Sequence, residues 1–129
     1  MKQPSHLEEL FALHLRCKSI EHVREFRFGR ESVGNPKKNI RETLKANGLK
    51  DWRFDFAIVR EKIAIEIEGG IFINGRHNRP VPFREDCIKY NAATVRGWAV
   101  LRFTDREVKS GEALLTTWQM LQARRKGVA

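Results

Sequence analysis

The chain has 129 residues, 41% of them apolar and 32% charged, which is the length and balance of one globular domain with one sizeable core. Its 25 Lys and Arg outnumber 16 Asp and Glu, for a formal net charge of +9 and a pI near 10.1; such a basic surface attracts polyanions, nucleic acid foremost. Eight Phe and three Trp argue against disorder, no apolar run approaches the roughly 20 residues of a membrane span, and acids in MKQPSHLEEL stand where a secretory signal carries its apolar core.

Ser5-His-Leu-Glu8 reads as a capping box opening a helix that runs to about Lys18, with Leu7, Leu10, Phe11, His14 and Cys17 at helical spacing. His6 and His14 share a face of that helix, and His22 follows eight residues later. They read as surface residues, because no third ligand lies close by. Cys17 and Cys87 are far apart with no Cys/His cluster around them, so a structural zinc site is not indicated and a reduced, cytoplasmic setting fits. Glu25-Phe-Arg-Phe28 alternates like a short strand.

Residues 29–51 read as an insertion or arm punctuated by Gly29, Gly34 and Asn35-Pro36. Asn35 is expected to cap a short helix with Pro36 at its first position and Gly48 just past its end. Lys37, Lys38, Arg41 and Lys45 on that helix form either a solvated face or a DNA-contacting arm.

The centre carries the strongest pattern. Trp52-Arg-Phe-Asp-Phe-Ala-Ile-Val59 and Lys62-Ile-Ala-Ile-Glu-Ile-Glu68 both alternate with period two. Phe54, Phe56 and Ile58 should share one face, as should Ile63, Ile65 and Ile67. The short separation predicts a tight hairpin closed by two loop residues, or by four, since Arg60-Glu61 is not a preferred primed-turn pair. Closure about 60/61 sets Asp55 opposite Glu66 and Arg53 opposite Glu68, on the face of Ala57 and Ala64. Further on, Ile71–Ile73 reads as a short strand, and Arg84–Arg96 as a helix with Ile88, Ala92 and Val95 inward and Gly97 as its stop. Trp98–Phe103 reads as a buried strand, and a last amphipathic helix opens at Ser110 or Gly111 with Leu114, Leu115, Trp118 and Leu121 inward. The sum is an α/β domain with a mixed sheet of about four to five strands flanked by helices.

Opposed like charges destabilise a ladder by up to about 1 kcal/mol, so Asp55 beside Glu66 calls for a compensating cation. Hard oxygen ligands point to Mg²⁺ or Mn²⁺. Glu68 extends the same line of acids, either as a further ligand or as an ion pair with Arg53. A divalent cation on a basic protein suits phosphodiester hydrolysis, where it neutralises charge on the phosphate and lowers the pKa of a water it binds.

Asp55, ten intervening residues, then Glu66-Ile67-Glu68 resembles the core motif of the restriction-endonuclease-like PD-(D/E)XK nucleases. Within that superfamily, Glu68-Gly-Gly-Ile-Phe-Ile-Asn-Gly-Arg-His77 is similar to a loop of very short patch repair endonucleases. The stretch from Trp52 to Val108, including Asp86-x-x-Lys89-Tyr-Asn91 and Gly97-Trp98-Ala-Val-Leu-Arg-Phe103, resembles small phage-type members. Phe54 replaces the motif's Pro and Glu68 its Lys.

The resemblance implies a restriction-endonuclease-like core and a Mg²⁺ site of Asp55, Glu66, the Ile67 carbonyl and the upstream acid Glu25. Glu68, Lys89 and His77 are the candidates for the role of the absent lysine. Arg76, Arg79 and Arg84 stand around the site in sequence as phosphate clamps. The expected function is metal-dependent DNA endonuclease activity in repair or recombination. Structure-selective action is expected (nicking, or cutting of mismatched or branched DNA), since no separate recognition domain is evident. A homodimer would suit junction or double-strand cutting; the alternatives are a non-catalytic nucleic-acid-binding module on the same fold and a Holliday-junction resolvase within the nuclease class.

Overall fold

The structure is a computed structural model and describes residues 5–69 and 80–127. Helix α1 (His6–Cys17) begins where Ser5 accepts the Glu8 amide on its hydroxyl. Strand β1 (Val23–Phe26), the short helices α2 (Phe28–Ser32) and α3 (Ile40–Ala46), and the hairpin β2 (Phe54–Ile58) and β3 (Ile63–Ile67) follow. Then come α4 (Pro80–Val95), β4 (Ala99–Phe103), α5 (Asp105–Ser110) and α6 (Glu112–Arg125).

The four strands lie in the order β1-β2-β3-β4. The first three are antiparallel, and β4 runs parallel to β3 after the crossover that parallel pairing requires, here containing α4. The chain is thus an α/β domain with a mixed sheet between helices. One face packs Phe56, Ile58, Ile63, Ile65 and Ile67 against Phe11 and Leu15 of α1, Val108 of α5, and Ala113 and Leu121 of α6. The other face sets Ala57 and Ala64 under Ala93 of α4, with Phe28, Phe54 and Trp98 beside them. Among the described residues no helix is long and apolar enough to cross a membrane.

The hairpin register is the one the alternation dictates, with Phe56 on Ile65, Ala57 on Ala64 and Ile58 on Ile63. Its loop is the four-residue turn Val59–Lys62, closed by the Lys62 amide on the Val59 carbonyl. The small pair Ala57 and Ala64 leaves no open approach, because Ala93 and Trp98 fill the space. Residues 29–51 are tied down through buried Phe28, Leu44 and Leu49 and through Arg27 and Arg30 on Asp51. Gly29 lies so near the Lys50 carbonyl that a Cβ would sit 2.4 Å from it. Helix α3 starts at Ile40 after a left-handed Asn39, four residues beyond the expected start, so Lys37 and Lys38 fall in the bend before it.

Three further expectations are corrected. Phe54 does not share a face with Phe56: it stacks on Phe28 at 4.4 Å, on the α4 side. Among the described side chains of α4 the buried one is Ala93, while Ile88 is exposed and Val95 is 83% exposed. In the last helix Leu115 and Trp118 are exposed and Thr117 is buried, on the face that carries Ala113 and Leu121 into the core. Helix α5 has its own capping box, Thr104 with Glu107.

The phase of α4 is directly testable. Ala93→Leu is expected to cost about 1–3 kcal/mol by overpacking, and Val95→Ser to stay within about 0.5 kcal/mol, in urea unfolding. The reverse order would put Val95 inside.

Candidate metal centre

The two strands of the hairpin separate just past the Phe56–Ile65 pair. The Asp55 amide donates to Glu66 Oε2 at 2.8 Å, and the Ile67 amide donates to Asp55 Oδ2 at 2.8 Å. Each carboxylate thus takes the main-chain donor of the opposite strand, which keeps that backbone satisfied where the ladder has opened. Asp55 and Glu66 therefore sit together as the register demands, but as crossed acceptors and not as a ladder pair. Ile67, expected to contribute its carbonyl, is fixed beside Asp55 by this bond.

Strand β1 turns over at the same level. Arg24 lies over the Phe56 ring on the α1 side, whereas Phe26 packs on Trp98 on the α4 side. Residues two apart normally share a face. The reversal falls at Glu25, whose φ is +52°, a conformation that costs a non-glycine residue of order 1–3 kcal/mol. Glu25 lies between the Arg24–Phe56 and Phe26–Phe54 pairs, level with Asp55. Its carboxylate joins Asp55 and Glu8, with one ligand atom from each lying within 4.8 Å of the others.

Glu8 went unrecognised in the sequence except as a capping residue. It is 4% exposed and sits on the inward stripe of α1 with Phe11, Ala12 and Leu15. An acid at the head of an i, i+3, i+4, i+7 apolar set was the available signal.

Glu66 is tied to Asp55 through the Asp55 amide and is not one of the three converging acids. It is 6% exposed, and its Oε1 accepts Lys89 Nζ at 2.5 Å and Tyr90 Oη at 3.1 Å. Burial pushes the Glu66 carboxyl above its ordinary value; the Lys89 ammonium opposes this and the Asp55 charge adds to it. Burial, reinforced by the charges of Glu66 and Glu68, also pushes the Tyr90 hydroxyl far up, so it stays a donor. Glu68 pairs with Arg102 of β4 at 3.1 Å, and Arg53 faces Glu25 at 3.7 Å instead.

Of the three candidates for the lysine role, Lys89 is the one at the Glu66 carboxylate. Glu68 is turned to Arg102, and His77 lies outside the described residues, as do Arg76, Arg79 and the Ile71–Ile73 stretch. Arg84 is exposed near the start of α4, and Lys37 and Lys38 are exposed before α3; among the described residues no contact links these three to the carboxylates. Comparison of the chain with protein-family models, curated proteins and solved structures finds no match.

The raised Glu66 carboxyl has a linkage consequence. Between its ordinary value near 4.5 and the raised one, the folded chain holds more protons than the unfolded chain, so this group's contribution falls as pH rises through that window. In EDTA, the unfolding free energy of wild type minus that of Glu66→Gln is expected to decrease as pH rises from the ordinary carboxyl value near 4.5. An increase would contradict it.

Proposed function

We propose that this chain is a divalent-metal-dependent DNA endonuclease of the restriction-endonuclease-like type. One observation carries the reading: the Asp55 carboxylate converges with those of Glu8 and Glu25, while the Asp55 amide is bonded to Glu66, which carries Lys89. The donors are hard oxygens, suited to Mg²⁺ or Mn²⁺. Glu25 Oε2 is buried without a hydrogen-bond partner among the described residues, which supports a cation ligand there. Asp55 and Glu25, with Glu8 and Glu66 adjacent, would hold the ion. When bound it supplies Lewis-acid polarisation of the phosphate and acidifies its water.

The protein's own groups have separate tasks. Lys89, held on Glu66, places a positive charge beside the carboxylates where a phosphate oxygen would gain charge. Tyr90 keeps the Glu66 carboxylate oriented. The surplus of 25 Lys and Arg over 16 acids draws in the DNA backbone whatever its sequence. Mismatched or branched DNA inside the cell, nicked or cut by the enzyme, is the substrate class that a domain of this size suits. Cys17 and Cys87, both exposed and unpaired, agree with a reducing compartment.

The ion pair of Arg102 with Glu68, at the position expected to hold the missing lysine, favours one competing reading, a DNA-binding module without catalysis. A cleavage assay separates the two, using supercoiled plasmid and a four-way junction with Mg²⁺, Mn²⁺ or EDTA. Cleavage is expected with metal only. Asp55→Asn should lose more than the roughly 10- to 100-fold typical of residues that merely support a metal site. Glu8→Gln should fall within that range, and Lys89→Ala should lose about 100- to 1,000-fold. Binding without cleavage under every metal would sink the nuclease reading.

A further inference from the structure

The hairpin turn lies at the far end of β2 from Asp55, and beside it is an open cleft of about 650 Å³ lined by Arg60, Glu61, Lys62, Arg124 and Arg125. Four cations thus face one carboxylate. Two of them are anchored in advance. Lys62 Nζ donates to the Arg96 carbonyl at 2.8 Å, and an Arg124 terminal nitrogen donates to the Gly97 carbonyl at 3.2 Å. Both acceptors lie just past α4, where helix carbonyls carry partial negative charge. These carbonyls fix the side chains without cancelling their charge.

Arg124 Nε is buried and has no hydrogen-bond partner among the described residues. Arg125 is held by Glu61 at 3.4 Å. Arg60 is exposed and has no partner among the described residues. A second cleft shares Arg60, Glu61 and Arg125 and extends the groove to Arg16 at the end of α1.

We propose that this basic cleft is a second contact for the phosphate backbone of nucleic acid, separate from the carboxylate centre. Its shape and lining favour a polymer over a mononucleotide. The groove is open and runs on into the second cleft, and among the described residues no aromatic side chain lines the basic part for a base to stack on. Contacts of guanidinium and ammonium groups with phosphates position a duplex without reading its sequence. The cleft lies four to five residues from Asp55, roughly 15 Å at the rise of a strand. A nucleic acid touching both places therefore extends over about four to five base pairs, or presents a second arm.

The ligand class rests on the proposed function; the site itself does not depend on catalysis. Binding to a plain duplex and to a four-way junction is measured by fluorescence anisotropy in EDTA, over roughly 50 to 200 mM salt. Arg60→Glu and Arg60→Ala are compared with Arg106→Glu, an exposed control on α5 with the same charge change as the reversal. Arg60→Glu is expected to weaken binding several-fold more than Arg106→Glu and to lower the slope of log K against log salt by about one, with Arg60→Ala in between. Equal effects of Arg60→Glu and Arg106→Glu in a wild type that cleaves DNA would overturn the second contact and leave the nuclease reading standing. A selective Arg60 effect in a wild type that never cleaves would support the cleft and overturn catalysis. Failure of wild type to bind either DNA would overturn both.

Discussion

The site depends on the crossing of two carboxylates where the β2–β3 hairpin opens. A ladder that continued past Phe56 and Ile65 would set Asp55 and Glu66 against each other as like charges. Instead each accepts the other strand's amide, a charge-assisted bond of about 1.5–3 kcal/mol. Two backbone donors are satisfied, two acids are held at one level, and the sheet is free to change face there. The left-handed Glu25 opposite completes the turnover by bringing a third carboxylate to Asp55.

The layers of the fold hold the acids from both sides. Helix α1 rests on the isoleucine face and delivers Glu8 at its first turn. Helix α4 lies close over Ala57 and Ala64 because its own contact residue is Ala93, and that closeness lets Lys89 and Tyr90 reach Glu66. A buried ion pair of this kind is weak evidence for stability, since desolvating two charges offsets much of their attraction. Its position beside a convergent set of acids makes a chemical role the better account of why the charges are there. The strain at Glu25 points the same way, because backbone held in sparsely populated conformations clusters at functional sites.

Much of this arrangement was legible in the residues. Alternation set the hairpin register, Ser5 marked the start of α1, Gly48 followed α3 and Gly97 stopped α4, each through chemistry local to a few positions. The failures also share a cause. Apolar periodicity puts Ile88 and Val95 of α4 inside, yet its inward side carries Lys89 and Tyr90, so periodicity takes the face that meets Glu66 for the outer one. Phe54 was placed with Phe56 because period-two reasoning assumes a regular strand, and the strand turns over at Asp55. Glu8 was absorbed into a cap because the residues it meets, Glu25 and Asp55, lie far along the chain. Sequence periodicity reports packing, and it misleads where packing yields to a site.

The central claim of the proposal is that Asp55 and Glu25, supported by the adjacent Glu8, would hold a divalent cation. Isothermal titration of the full chain with Mn²⁺ in the absence of DNA tests it most directly. A saturable site is predicted, abolished by Asp55→Asn and weakened by Glu8→Gln, with the fold retained in both variants. Mn²⁺ binding of the same strength in wild type and Asp55→Asn, or none in wild type, would contradict it.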